Sequence, residues 1–459
     1  MEEQKIVEKY NLMWNRLFFE EFFSNPEFMD FARNFSAERS DYTKGANFLP
    51  TTLKPRFNTL KQEELIREST ENIISALKKI EQELVKGNKE LQDFMGLNEN
   101  QMEVLKFPCR YKNSYFWVRF DCALEDLSLK VLEINLNFPG GPGFLDEIYE
   151  NFAKLSIIDK FSKFTEIKPN YGLNEIFYQT ALKNYKEAGF EENKPNIIIL
   201  KMDELGYAMD SESVKKYFEK NGHKVVIVDP SRVKYDGKYL IYGDHKANLI
   251  LKWFDIDDLF KKKGKCKDFY KALKDNSLAL MNPLSIGVVA AKSTFAVMTS
   301  EKYAYLFSDQ EKSSINKCIL WTRIFGNYDS EDKLGKKINL LKYAKENKDE
   351  IVLKPSVGTG GEKVFVGVSY TEKEWNKIIN DIIKEKRNYI IQDRVEIISE
   401  YFPNIHNDSL IFEKRRIDLL PYIMDEKYFC SGSRCASGYI LNVKDGAIGG
   451  INYTILNNQ

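Results

Sequence analysis

The chain has 459 residues, of which 43% are apolar, 13% aromatic and 30% charged, a balance that predicts a folded protein of two or three domains. Lys+Arg and Asp+Glu each total 68, so no net field selects nucleic acid or an anionic membrane as partner. The three histidines (His223, His245, His406) are scattered, and the six cysteines (Cys109, Cys122, Cys266, Cys318, Cys430, Cys435) form no CxxC pair, which leaves little for a His-based metal centre, a structural zinc or a Ser-His-Asp hydrolase.

The opening MEEQKIVEKYNLMW lacks the basic-then-apolar order of a signal peptide. No apolar run reaches the roughly 18 residues of a membrane span. The cysteines read as reduced, and a cytoplasmic location is expected. Residues 1–110 are predicted to be mainly helical, with apolar residues recurring at three and four in EELIRESTENIISALKKIEQEL (63–84). A turn-rich loop at 40–55 interrupts them.

From 111 to 137 the period changes to two. YFWVRFDCA and LKVLEINLN both alternate, and LEDLS between them can turn the chain. A hairpin centred near Leu127 sets Asp121 opposite Glu133 and Arg119 opposite Asn135. One face then carries Arg119, Asp121, Glu133, Asn135 and Asn137, and the other Phe120, Leu132, Ile134 and Leu136. Opposed Cβ atoms on such a pair lie about 5 Å apart, where two carboxylates repel unless a cation or a proton intervenes. Carboxylate and amide oxygens without His or Cys suit a hard cation, Mg²⁺ rather than zinc. The plainer alternative is a solvated polar face on which Arg119 neutralises the acids. FPGGPG (138–143) follows directly, and the chain returns to helix at 146–157.

A βαβ-like unit comes next, within a middle domain over 166–281. NIIIL (196–200) is a buried strand, SESVKKYFEKNG (211–222) a helix capped by Asp210 or Ser211 and closed at Gly222, and KVVIVD (224–229) a second strand. A further hairpin is expected in 238–254. No glycine-rich turn follows the first strand, so the unit reads as scaffold or substrate domain rather than a dinucleotide site. The basic run FKKKGKCK (260–267) reads as a solvated loop.

The last region, 282–459, holds a second constellation. IVLKPSVGTGGEKVFVGV (351–368) is a strand ending in Lys354, a loop with Gly358, Thr359, Gly360 and Gly361, and a second strand. Glycines let backbone N–H groups approach phosphate closely, and a neighbouring lysine adds a point charge. It is neither a Walker A loop nor a protein-kinase loop, since GK[ST], HRD and DFG are absent. A tight hairpin with incidental glycines is the alternative. YIIQDRVEI (389–397) is a strand whose exit, Gln392 to Val395, could form an adenine hinge. RRIDLLPYIMDEKYFCSGSRCASGYILNV places Arg416 and Asp418 on one strand and Arg434 on the next; an arginine there can stabilise a transferred phosphoryl group or simply form a salt bridge.

Together these pieces resemble the ATP-grasp carboxylate–amine ligases, and most closely the circularly permuted branch that includes glutathionylspermidine synthetase. Arg119 and Asp121 followed by Glu133 and Asn135 match that branch's RxD…ExN, and they precede Lys354 as the permuted order requires. NPLSIGVVAAKSTFAVMTSE looks like the segment supplying the first ATP lysine, Lys292, and VLKPSVGTGGEKVFVG like the second with its phosphate loop. Arg434 falls at the family's phosphate-side arginine. The chain departs from relatives at Asn137, where an acid is often found.

The resemblance implies an α/β (α+β) ATP-grasp fold in permuted order, with a helical N-terminal region (1–110), a metal-binding hairpin segment (111–165), a Rossmann-like pre-ATP-grasp domain (166–281) and the nucleotide-binding region (282–459). It implies ATP and two Mg²⁺ held by Asp121, Glu133 and Asn135, with Lys292, Lys354, the 358–361 loop, Gln392 and Val395 on the nucleotide, and Arg119 and Arg434 as catalytic residues. The implied reaction joins a small-molecule or peptide carboxylate to an amine through an acyl phosphate, converting ATP to ADP and phosphate. A phosphotransferase on the same fold, or a catalytically silent nucleotide-binding module, are the alternatives.

Overall fold

A computed structural model describes residues 2–35, 51–111, 114–143, 145–204, 208–358, 361–385, 388–442 and 446–456, so most of the loop expected at 40–55 lies outside the described residues. The chain is mixed α/β. At its centre lies an antiparallel sheet in the order Ile448–Gly450, Lys427–Ala436, Ser409–Met424, Trp117–Glu125, Ser128–Asn135, with Ser399–His406 also pairing to Ser409–Met424. Segments far apart in sequence therefore share one sheet. The register between them sets Tyr422 beside Arg119 and Asp418 beside Arg434.

A second sheet is parallel throughout, in the order Ala279–Met281, Leu249–Trp253, Ile197–Lys201, Val225–Val228. Its strands are continuous apolar runs because both faces are covered: Ile198 and Leu200 enter one core, Ile197 and Ile199 another. The helix expected to follow begins at Ala208, so Asp210 lies inside its first turn and does not cap it. Gly222, with φ of +88°, closes that helix as expected. The 238–254 hairpin is split: Leu240–Tyr242 pairs with His245–Ala247, but Leu249–Trp253 joins the parallel sheet, where its fully buried pattern fits better.

The third sheet, Thr322–Ile324, Tyr389–Asp393, Ile351–Pro355, Phe365–Val366, is antiparallel and packs on the helices Leu340–Glu346 and Glu372–Lys384 through Trp375, Ile379 and Leu353. The N-terminal region is helical, as its periodicity predicts. Leu60–Val85 starts at a capping box in which Thr59 and Gln62 satisfy each other's backbone N–H, and it buries Ile66, Ile73, Leu77 and Ile80 in the core beneath the central sheet. The strand before it, Arg56–Thr59, runs parallel to Asn452–Ile455. Among the described residues no helix is long and apolar enough to cross a membrane.

Candidate active site

A cavity of about 710 Å³ opens where the three sheets meet. The Trp117–Glu125 and Ser128–Asn135 strands pair in the expected register, Arg119 opposite Asn135 and Asp121 opposite Glu133. A bulge then intervenes, since Cys122 pairs with Val131 and leaves Leu132 without a partner. One extra residue reverses the alternation. Leu132, expected on the apolar face with Ile134 and Leu136, instead lines the cavity half-buried, while Val131 and Leu129 take core positions.

Asp121 sits between two guanidinium groups. Its Oδ1 accepts from Arg119 Nε at 2.9 Å and from Asn135 Nδ2 at 3.1 Å, and its Oδ2 accepts from Arg434 Nη2 at 2.8 Å. Burial alone would raise this carboxyl, but Arg119 and Arg434 overcome it and hold it well below the usual carboxylate range. Arg434 is shared: Nη2 lies 2.6 Å and Nε 3.1 Å from Asp418 Oδ2, and its backbone N–H donates to Asp418 Oδ1 at 2.8 Å. Arg434 does form salt bridges, the plainer expectation, but half-buried between Asp121 and Asp418 rather than on the surface. In the sequence Asp418 stands out only as a neighbour of Arg416. Its role follows from the pairing of Ser409–Met424 with Lys427–Ala436, which local pattern does not reveal.

Glu133 reaches across to Lys292, Oε1 to Nζ 2.7 Å. Lys292 Nζ also donates to the carbonyl of Gly358 at 3.0 Å, tying the end of the glycine loop to the hairpin. Lys354 Nζ donates to the bulge carbonyl of Leu132 at 3.1 Å and to Gln392 Oε1 at 2.7 Å. Burial lowers the Lys354 ammonium from 10.5 to about 8, with Glu133 opposing and Lys292 adding to the shift. Gln392, expected to offer backbone groups, has its side chain fixed between Lys354 and Thr322 Oγ1 (3.1 Å) and so orients the lysine. Val395, with Leu132, Ile397 and Leu441, forms an apolar wall beside these charges. Gly358 and Gly361 line the cavity, Gly361 at a φ of +71° that favours glycine; Thr359 and Gly360 lie outside the described residues.

Every other residue expected to bind nucleotide or metal, and both arginines, lines this one cavity. Arg119, Lys292, Lys354 and Arg434 line the cavity together with Asp121, Glu133 and Asp418, and such cations can meet phosphate oxygens. The side chains able to hold a metal are Glu133, Asp121 and Asn135, whose amide N–H is spent on Asp121 and leaves its carbonyl oxygen free to coordinate. Among the described residues no three His, Cys, Asp or Glu side chains cluster around a common point. Two carboxylates and an amide fit Mg²⁺, which commonly completes its shell with phosphate oxygens and water.

Sequence reading passes over the far end of the cavity. Asn137 turns away from the acids: Nδ2 donates to Asp255 Oδ1 at 2.6 Å, and its backbone carbonyl accepts from buried Lys252 at 3.0 Å. Gly141, at a φ of +138°, leaves no room for a side chain, because a Cβ there would lie 2.1 Å from Tyr422 Oη. That hydroxyl donates to Gly140 O at 2.8 Å, and Arg119 Nη1 reaches the same carbonyl at 3.3 Å. The close-packed glycines of FPGGPG are the one sequence signal for this contact.

No protein-family model matches the chain, and no curated protein matches it. Among solved structures its mixed α/β fold has a similar counterpart. A glutathione synthetase-like effector from Globodera pallida, in its apo form, aligns over 89% of this chain and 91% of its own at a TM-score of 0.54 and 14% identity. A Methylobacillus flagellatus protein assigned as gamma-glutamylcysteine synthetase aligns over 84% and 85% at 14% identity, but its TM-score of 0.40 gives it no bearing on the fold.

Proposed function

We propose that the chain is an ATP-dependent carboxylate–amine ligase of the ATP-grasp type, in permuted order, acting through an acyl phosphate. The observation that carries this reading is the convergence of Lys292, Lys354, Arg119 and Arg434, from four separate segments, on the Asp121–Glu133 pair in one cavity beside a glycine loop. The fold shared with a glutathione synthetase-like protein supports it.

A substrate carboxylate attacks the γ-phosphorus of ATP, and ADP leaves; an amine then displaces phosphate from the acyl carbon. Lys292 and Lys354 hold the α- and β-phosphates, and the apolar wall at Val395 receives the base. Arg119 and Arg434, fixed by Asp121 and Asp418, present preset positive charge to the transferring phosphoryl group. Glu133, Asp121 and Asn135 would hold Mg²⁺, which when bound offsets the phosphate charge. Gly358 and Gly361, which line the cavity, lie where their backbone can approach the phosphates.

The test is ADP release screened over amino acids and short peptides, with mass spectrometry of the products. Carboxylate labelled with ¹⁸O is expected to pass label into phosphate; productive turnover without transfer excludes the acyl phosphate. Glu133→Gln is expected to lower turnover by about 10²-fold or more, since it removes both a metal donor and the partner of Lys292. Unchanged thermal unfolding, set beside the lost turnover, identifies the loss as chemical. A phosphorylated carboxylate accumulating in the presence of amine selects the phosphotransferase instead.

A further inference from the structure

Asp210 lines the cavity, is 6% exposed, and belongs to the helix of the parallel-sheet domain. Its Oδ1 accepts from the backbone N–H of Gly143 at 2.7 Å and of Gly141 at 3.3 Å. Among the described residues its Oδ2 is buried with no hydrogen-bond partner. A buried carboxylate oxygen left open in this way is costly unless a donor arrives to meet it. The glycine loop fixes where that donor must stand. Gly140, the residue before Asp210's first glycine contact, holds Arg119, so Asp210 sits one step along the loop from the arginine assigned to the acyl phosphate.

We propose, resting on the ligase reading, that Asp210 binds the incoming amine as its ammonium through Oδ2 and takes one proton from it before attack. The ammonium gives H⁺ to the carboxylate and becomes a neutral amine. Its lone pair forms the C–N bond at the acyl carbon, the C–O bond to phosphate breaks, and the second N–H proton leaves with the phosphate. Asp210 then returns its proton to solvent when product departs.

The groups facing Asp210 are compatible with a base. Burial pushes its carboxyl up to about 6, opposed by the two glycine N–H donors and by Arg119 on the neighbouring strand. Tyr422, from the central sheet, is kept protonated by its own burial and is engaged on Gly140. A carboxylate titrating near 6 is charged and still basic at neutral pH, the condition for effective general-base catalysis.

The test compares two nucleophiles with ATP, Mg²⁺ and a panel of amino acids and dipeptides as carboxylates. Hydroxylamine is largely neutral near pH 7 and needs no base; methylamine is protonated and does. Asp210→Asn keeps an oxygen for Gly141 and Gly143. It is expected to lower N-methylamide formation by about 10²-fold or more and hydroxamate formation by much less. Wild-type N-methylamide formation should rise as pH passes about 6 and then level, a step missing in the variant. Asp210→Glu should recover part of the rate. N-methylamide formation in Asp210→Asn within about threefold of wild type overturns the proposal, since a general base contributes more than that. Equal loss of both products also overturns it, leaving Asp210 only a clamp on the loop. Wild-type protein that forms no hydroxamate with any carboxylate refutes the ligase reading itself.

Discussion

Lys354→Met is expected to lower ATP turnover by about 10²–10³-fold while leaving thermal stability equal to wild type or higher. The activity loss follows from removing a preset charge at the phosphates. The stability outcome follows from where Lys354 is held. Among the described residues its Nζ bonds to a carbonyl and an amide oxygen, with Glu133 and Asp121 acting from farther off. A fall from 10.5 to about 8 corresponds to roughly 3 kcal/mol of unfavourable charge burial. Because the folded value is below the unfolded one, this cost is complete below pH about 8 and disappears as pH rises towards 10.5. ATP affinity has the opposite use for the proton and should weaken as pH rises through about 8. Turnover by ADP release and unfolding by calorimetry check the two halves; full activity in Lys354→Met removes the residue from the mechanism.

Lys54→Met should do the reverse, destabilising the protein by about 3–5 kcal/mol, read as a shift of the denaturant midpoint. Lys54 is wholly buried, with Nζ 2.6 Å from Glu400 Oε2 and 2.9 Å from Asn11 Oδ1, and lies over the Phe402 ring. Burial would raise Glu400, but Lys54 and Arg56 together hold its carboxyl below the ordinary value. Removing the lysine strands that charge in the interior. The double variant Lys54→Met/Glu400→Leu is expected to recover most of the loss, because a buried pair replaced as a unit by apolar residues costs little. If the single variant is as stable as wild type, the pair does not hold the Glu2–Ser24 helix to the central sheet.

The contrast shows what pattern reading can and cannot supply. Hairpin register is legible, because strand alternation and a short turn leave few ways to pair residues 117–135. The bulge at Leu132 is not, since it inserts an ordinary leucine and no glycine marks it. Lys354 and its glycine loop can be named from local composition, but the role of Gln392 as the lysine's holder depends on the neighbouring strand. Arg434 and Asp121 lie 313 positions apart and are brought together by strand pairing that no periodicity encodes. Asp210 illustrates the same limit: its sequence context reads as a helix cap, and tertiary packing makes it the partner of a distant glycine loop.

The central sheet also sets a timetable. Trp117–Glu125 is made well before Ser409–Met424, the strand it pairs with, and Arg434 comes on the strand after that. Until those strands emerge from the ribosome, Asp121 and the edge beside it have no native neighbour on that side. Pairings of such large sequence separation form slowly and leave strand edges open to other chains. The nascent chain therefore keeps Asp121 without its Arg434 partner until the Lys427–Ala436 strand has been made, so that this charge cluster and the central sheet are completed together.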